Sequence, residues 1–116
     1  MSQDIKALQA ALRAFAQARD WEQFHSPKNL AASLSIEAAE VLEHFQWLTE
    51  AQSRQLDAER TAQVADEIAD VLLYLLQLAD KLGIDPMAAA RDKLARNAER
   101  YPVERAKGSS AKYTEL

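Results

Sequence analysis

Four carboxylates supply the chemistry this chain is equipped for: the pairs Glu37-x-x-Glu40 and Glu67-x-x-Asp70. Residues three apart are neighbours on a helix surface, so each pair can reach one cation. Both pairs sit in apolar sequence. Glu37 follows Ile36 and precedes Val41-Leu42, and Asp70 leads into Val71-Leu72-Leu73-Tyr74-Leu75-Leu76. Carboxylates pressed against an apolar stripe are costly to desolvate unless paired or metal-bound. Four together repel one another and raise each other's pKa. Mg²⁺ takes oxygen ligands in near-octahedral geometry and keeps some waters, so four converging acids, joined by the oxygens of a triphosphate, suit it. An acidic i,i+3 pair also occurs on plain solvated helix faces. Two pairs in matching apolar surroundings favour a site.

Other residues offer complementary chemistry. Lys93, Arg96, Asn97 and Arg100 fall on one face of a later helix, where they can meet phosphate or simply complement the helix C-terminus. Lys112 in the tail is a further basic candidate. Trp21, Trp47 and Tyr74 can stack on a nucleobase, a contact worth about 1–3 kcal/mol per base, or can serve as core. His25 and His44 are open between site and packing roles. His44 shares a helix face with Glu37 and Glu40.

The elements that must position these groups are helical. Ile5, Leu8, Leu12 and Phe15 recur at helical spacing and predict a first helix over 4–18. An aromatic-rich stretch, 19–25, leads to Ser26-Pro27, an N-cap followed by N1 proline. The second helix carries Leu30, Leu34, Val41 and Phe45 and is expected to end near Trp47 or Leu48. A third is expected from about Ser53 to Gly83, a C′ glycine. Asp85-Pro86 repeats the cap-then-proline start of a fourth helix reaching about Glu99, and Tyr101-Pro102 ends it. Helices two and three share a pattern about thirty positions apart, with Glu37, Glu40 and His44 matching Glu67, Asp70 and Tyr74. If their apolar stripes pack antiparallel, the acids meet at the edge of the core. Leu73 and Leu76 point away from the Val64-Ile68-Leu75 stripe on a straight helix. That leaves a second apolar face needing cover by another subunit.

Bulk properties agree. The chain has 116 residues, 48 % hydrophobic, with 2 Gly and 3 Pro, which favours one all-α domain over 1–102 followed by an extended tail over 103–116. The absence of cysteine excludes disulfides and thiolate metal sites. No apolar run approaches the ~18 residues that span a bilayer or resembles a signal peptide, so a cytoplasmic protein without membrane contact is expected. A net charge of -4 disfavours a nucleic acid polymer as partner, but not a small anion that arrives with its own metal.

Taken together, these residues resemble the MazG-like nucleotide pyrophosphohydrolases, and within them the dCTP pyrophosphatase branch. The resemblance runs through Arg19-Asp20-Trp21-Glu22-Gln23-Phe24-His25, Phe45-Gln46-Trp47, Glu67 to Tyr74, Arg100-Tyr101-Pro102 and Lys112-Tyr113-Thr114-Glu115-Leu116. It implies a four-helix bundle that assembles as a homotetramer, with a neighbouring subunit completing each pocket. It implies hydrolysis of a nucleoside triphosphate, with dCTP or a modified dCTP favoured, to monophosphate and pyrophosphate. Glu37, Glu40, Glu67 and Asp70 would bind Mg²⁺. Lys93 and Asn97 would contact phosphates or sugar, with Tyr101 near them. Trp21 and Trp47 would lie at the base, Tyr74 beside the sugar or base, and His25, in the matched aromatic segment, on the substrate side. One position departs from the pattern: Leu12 stands where the branch can carry a base-contacting histidine.

Two rival classes make different demands. A ferritin-like di-iron bundle needs two Glu-x-x-His motifs on bundle helices, and this chain has one, Glu22-x-x-His25, just ahead of Pro27. A non-catalytic helical scaffold or partner-binding module would carry its acids as a solvated face and show neither tight nucleotide binding nor metal dependence.

Overall fold

Helix starts are set by short polar side chains that accept from otherwise unpartnered backbone N–H groups. In the computed structural model, which describes residues 3–116, Ser26 accepts from Asn29 N at 3.1 Å and Pro27 occupies N1. Asp57 accepts from Arg60 N at 2.7 Å, and Asp85 from Met87 N and Ala88 N at 3.1 and 3.0 Å. The described residues form α1 (Gln3–Ala18), α2 (Pro27–Glu43), α3 (Glu50–Ser53), α4 (Ala58–Lys81), α5 (Pro86–Arg100) and α6 (Val103–Ala106). Short 3₁₀ turns lie at Glu22–Phe24 and Tyr113–Glu115, and there is no strand among the described residues. The all-α expectation holds.

Two helices end alike. Gly83 N donates to Asp80 O and Ile84 N to Ala79 O, closing α4 in a Schellman motif around a glycine at φ +65. Asp20, at φ +55, takes the same role after α1, with Asp20 N donating to Gln17 O and Trp21 N to Ala16 O. Asp tolerates this left-handed conformation better than most residues, and the turn brings the Trp21 ring edge-on to Phe15 at 5.7 Å.

Several expected boundaries move. α2 stops at Glu43, short of Trp47, because Thr49 starts a new turn through a reciprocal capping box with Gln52. The expected start of the third helix near Ser53 is therefore the end of α3, and α4 begins after Asp57. The tail is not wholly extended, since α6 and the last 3₁₀ turn lie in it.

The chain divides into two compact units, one reaching to Ile84 and the other Asp85–Leu116. In the first, α4 is the central element and packs against both α2 and α1. His44, the C-cap of α2, meets Arg60 and Glu67, whereas Glu37 meets Asp70, so α2 and α4 run antiparallel. Leu30 and Leu76 are fully buried, with Ala16, Val64 and Ala79 beside them in the core. Gln9 is buried as well, and its Nε2 donates to Leu76 O at 3.0 Å. The expected division of α4 into faces is thus corrected: Leu76 lies inside, while Ile68 and Leu75 are exposed. Apolar residues surround α4 from Val71 to Leu76, so the neighbours, not the stripe, choose the buried side.

In the second unit the tail folds back on the end of α5. Tyr113 lies edge-on to Tyr101 at 6.0 Å, and the Arg100 guanidinium sits over the Tyr113 ring at 4.9 Å.

Candidate active site

The antiparallel contact of α2 with α4 brings acids from both helices to one place. Ligand oxygens of Glu37, Glu67 and Asp70 all lie within 4.8 Å of one another. Glu37 and Glu67 are half-buried, and Asp70 is exposed at the outer edge. Glu40 stands against both glutamates without belonging to that triad. The His44 ring approaches Glu67, Nε2 to Oε1, at 3.8 Å, and the Arg60 guanidinium donates to the His44 carbonyl at 2.9 Å, fixing the end of α2.

Charge crowding shows in the protonation behaviour. Glu37 is raised from 4.5 to about 7, first by hydrogen bonding with Glu40, then by desolvation and the charges of Glu40, Asp70 and Glu67. Glu67 is raised by the same kinds of interaction, again with Glu40 first, while His44 opposes the rise. When the acids are ionised, a buried Oε2 on Glu37 and another on Glu67 have no hydrogen-bond donor. Buried polar atoms of this kind are rare unless something satisfies them. A proton shared with Glu40 or a cation would do so. A hard divalent ion fits this donor set of carboxylate oxygens, with room at the exposed Asp70 side for water or phosphate.

A groove of about 250 Å³ adjoins the cluster at Asp70, close to the lower edge of the ~300–1,000 Å³ usual for small-molecule sites. Trp21, His25 and Tyr74 line it, as does Leu12. Candidates from two distant segments, Trp21 and His25 on one and Tyr74 on the other, are therefore brought together beside a carboxylate. Phe15 and Gln77 also line the groove and were not singled out by sequence. Gln77 had a signal, lying at i+7 from Asp70 and therefore on the same helical stripe.

The remaining candidates are not among the residues lining this groove. Trp47 is 87 % exposed in the turn after α2 and does not line the groove. Lys93 and Asn97 belong to α5, the first exposed and the second half-buried, and Tyr101 caps that helix with its N–H donating to Asn97 O at 2.8 Å. Glu22 pairs with Lys81 at 3.9 Å and is not part of the acidic triad, which leaves the di-iron reading without its motif.

Comparison with known proteins gives a consistent result. Residues 32–116 match the MazG-like family. The proteins called dCTP pyrophosphatase 1 in Rattus norvegicus and Homo sapiens are 40 % and 41 % identical over 116 residues, covering 98 % of this chain. The chain spans 66 % of the length of each. A crystal structure of a pyrophosphatase from Archaeoglobus fulgidus superposes with a TM-score of 0.82 at 42 % identity, over 88 % of this chain and 95 % of that one.

Proposed function

This chain belongs to the MazG-like family, and from that premise we propose that it is a Mg²⁺-dependent nucleoside triphosphate pyrophosphohydrolase, with dCTP or a modified dCTP as substrate. The observation that carries the reading is the triad of Glu37, Glu67 and Asp70, with its donorless buried oxygens, opening onto a groove walled by Trp21 and Tyr74. The relatives named as dCTP pyrophosphatases and pyrophosphatase support it.

Glu37, Glu67 and Asp70 would hold the ion. When bound there, Mg²⁺ supplies Lewis acidity to the phosphate oxygens and to the leaving pyrophosphate. Glu40, the carboxylate left outside the triad, takes a proton from the water that attacks the α-phosphorus, and pyrophosphate departs. Trp21 and Tyr74 grip the sugar and base in the apolar groove, and His25 borders them. On the family resemblance, in which a neighbouring subunit completes each pocket, Lys93 and Asn97 contact the phosphates or sugar, Tyr101 lies near them, and Trp47, outside the groove of its own chain, reaches a neighbour's base. The protein acts in the cytoplasm; no described helix is long and apolar enough to cross a membrane.

The assembly is a homotetramer formed on an exposed apolar face of α2 and α4. Val41, Ile68, Leu72 and Leu75 line an open depression there, and a patch of such residues is a usual mark of a protein interface.

The test is a panel of canonical and modified triphosphates with and without Mg²⁺. Pyrophosphate release from dCTP that stops on chelation is expected, and Trp21→Ala should raise KM about tenfold, in the range of a lost stacking contact. Orthophosphate as the product, or full activity in chelator, would overturn the reading.

A further inference from the structure

We propose that Gln77 is a specificity-determining residue, selecting a base that offers an amino group beside a ring acceptor over one that offers a carbonyl beside a ring N–H. The proposal rests on the nucleotide reading above. Asp70, Leu73, Tyr74 and Gln77 line the groove as one stripe of α4, at i, i+3, i+4 and i+7. Asp70 marks the phosphate end. At a rise of 1.5 Å per residue Gln77 lies about 10 Å further along, the reach of a nucleotide from its α-phosphate to the far edge of its base. Between them the walls are apolar or aromatic, with Leu12, Phe15 and Trp21 opposite α4. One turn beyond Gln77, Asp80 pairs with Arg13 at 2.8 Å and Lys81 with Glu22 at 3.9 Å. These pairs line the small neighbouring cavity that Gln77 also borders.

The amide of Gln77 has a fixed polarity. Its Nε2 donates to Leu73 O at 3.2 Å. A backbone carbonyl only accepts, so turning the amide over would set oxygen against oxygen. Held this way, the side chain keeps Oε1 as an acceptor and one remaining N–H as a donor. Cytosine presents the complement, an amino group at C4 beside the N3 acceptor. At that same edge uracil presents the reverse, a carbonyl beside N3–H, and meets the amide only by overturning it or by sliding its ring until N3–H and O2 face it. The other polar groups impose no such choice. The Tyr74 hydroxyl can donate or accept, and the His25 ring, without a hydrogen-bond partner among the described residues, can adopt either tautomer, while the Trp21 indole can only donate.

The experiment measures kcat/KM by pyrophosphate release for dCTP, dUTP and the 2-pyrimidinone deoxynucleoside triphosphate, which lacks the amino group. The wild-type chain should prefer dCTP over both by at least about tenfold, the discrimination expected of a two-point amide contact. Gln77→Met, close in length but without the amide, should bring the three substrates within about twofold, chiefly by loss on dCTP. General damage lowers all three together and leaves their ratios unchanged, so a folded Gln77→Met that keeps the wild-type ratios overturns the proposal. A wild-type chain that uses dCTP and its amino-free analogue equally overturns it without reference to any variant, while leaving the pyrophosphohydrolase reading intact. If no triphosphate is hydrolysed, that reading fails and this proposal falls with it.

Discussion

α2 and α4 present two flanks of opposite character to their surroundings. On one, Glu37, Glu67 and Asp70 converge until their oxygens lie within 4.8 Å. On the other, Val41, Ile68, Leu72 and Leu75 face outward around an open depression of about 410 Å³, with Ile68 55 % exposed. Both flanks are incomplete in an isolated chain, for opposite physical reasons. Clustered carboxylates repel one another, with the His44 ring offsetting the crowding at Glu67, and exposed aliphatic side chains forgo about 25 cal/mol for each Å² left in water. On the proposed reading a cation and a second copy are the respective complements. One helix pair would then hold a site on one flank and an interface on the other, each open to its own perturbation.

The largest effect should come from the acidic flank. Glu67→Gln or Asp70→Asn should lower turnover by about 10²–10³-fold or more, the scale of losing one preorganised electrostatic contact. Far-UV circular dichroism should stay helical, because neither side chain fills the core. A folded Glu67→Gln protein with near-normal turnover would remove this flank from the chemistry.

Next comes the apolar flank. Leu72→Glu places a charge where a partner should cover it, and an unpaired charge is strongly disfavoured in a dry interface. Sedimentation should show the assembly falling to smaller species while each chain remains helical. A wild-type protein that is already monomeric at micromolar concentration would separate the two flanks, leaving the apolar one without a partner.

The smallest effect is the pH response of the metal-free protein. Glu37 titrates at about 7 when folded, against 4.5 for an ordinary glutamate, and Glu67 moves in the same direction. A folded-state pKa above the unfolded one means that the folded chain binds the extra proton. The associated stability is full below about pH 4.5 and is lost as pH rises through about 7. In chelator, Tm should therefore fall between pH 5 and pH 8, and Mg²⁺ should restore most at the alkaline end, where the acids are ionised. Glu37→Gln should flatten the metal-free profile. A flat profile for the wild-type chain would show that the acids do not crowd one another in solution.

Local sequence foretold much of the fold. Ser26-Pro27, Asp85-Pro86 and Gly83 mark helix ends through hydrogen bonds that span a few residues, so they need no tertiary context. The Thr49–Gln52 capping box is equally local, and with the Asp57 cap it sets the end of α2 and the start of α4 away from the positions that apolar spacing alone implies. The spacing of Glu37, Glu40, Glu67 and Asp70 was likewise legible, because the period of a helix fixes which side chains share a face.

Sequence by itself therefore determined the helices, their caps and the two acidic pairs, all of which follow from bonds and periodicities a few residues long. Tertiary structure alone decided which side of α4 is buried. With apolar residues all round from Val71 to Leu76, that choice fell to Gln9, whose amide reaches the Leu76 carbonyl, and to the packing of α1 and α2. It also decided that Glu40 stands outside the triad and that Trp21, Tyr74 and Gln77 share one groove. These outcomes depend on contacts between segments dozens of residues apart, and no local period encodes them.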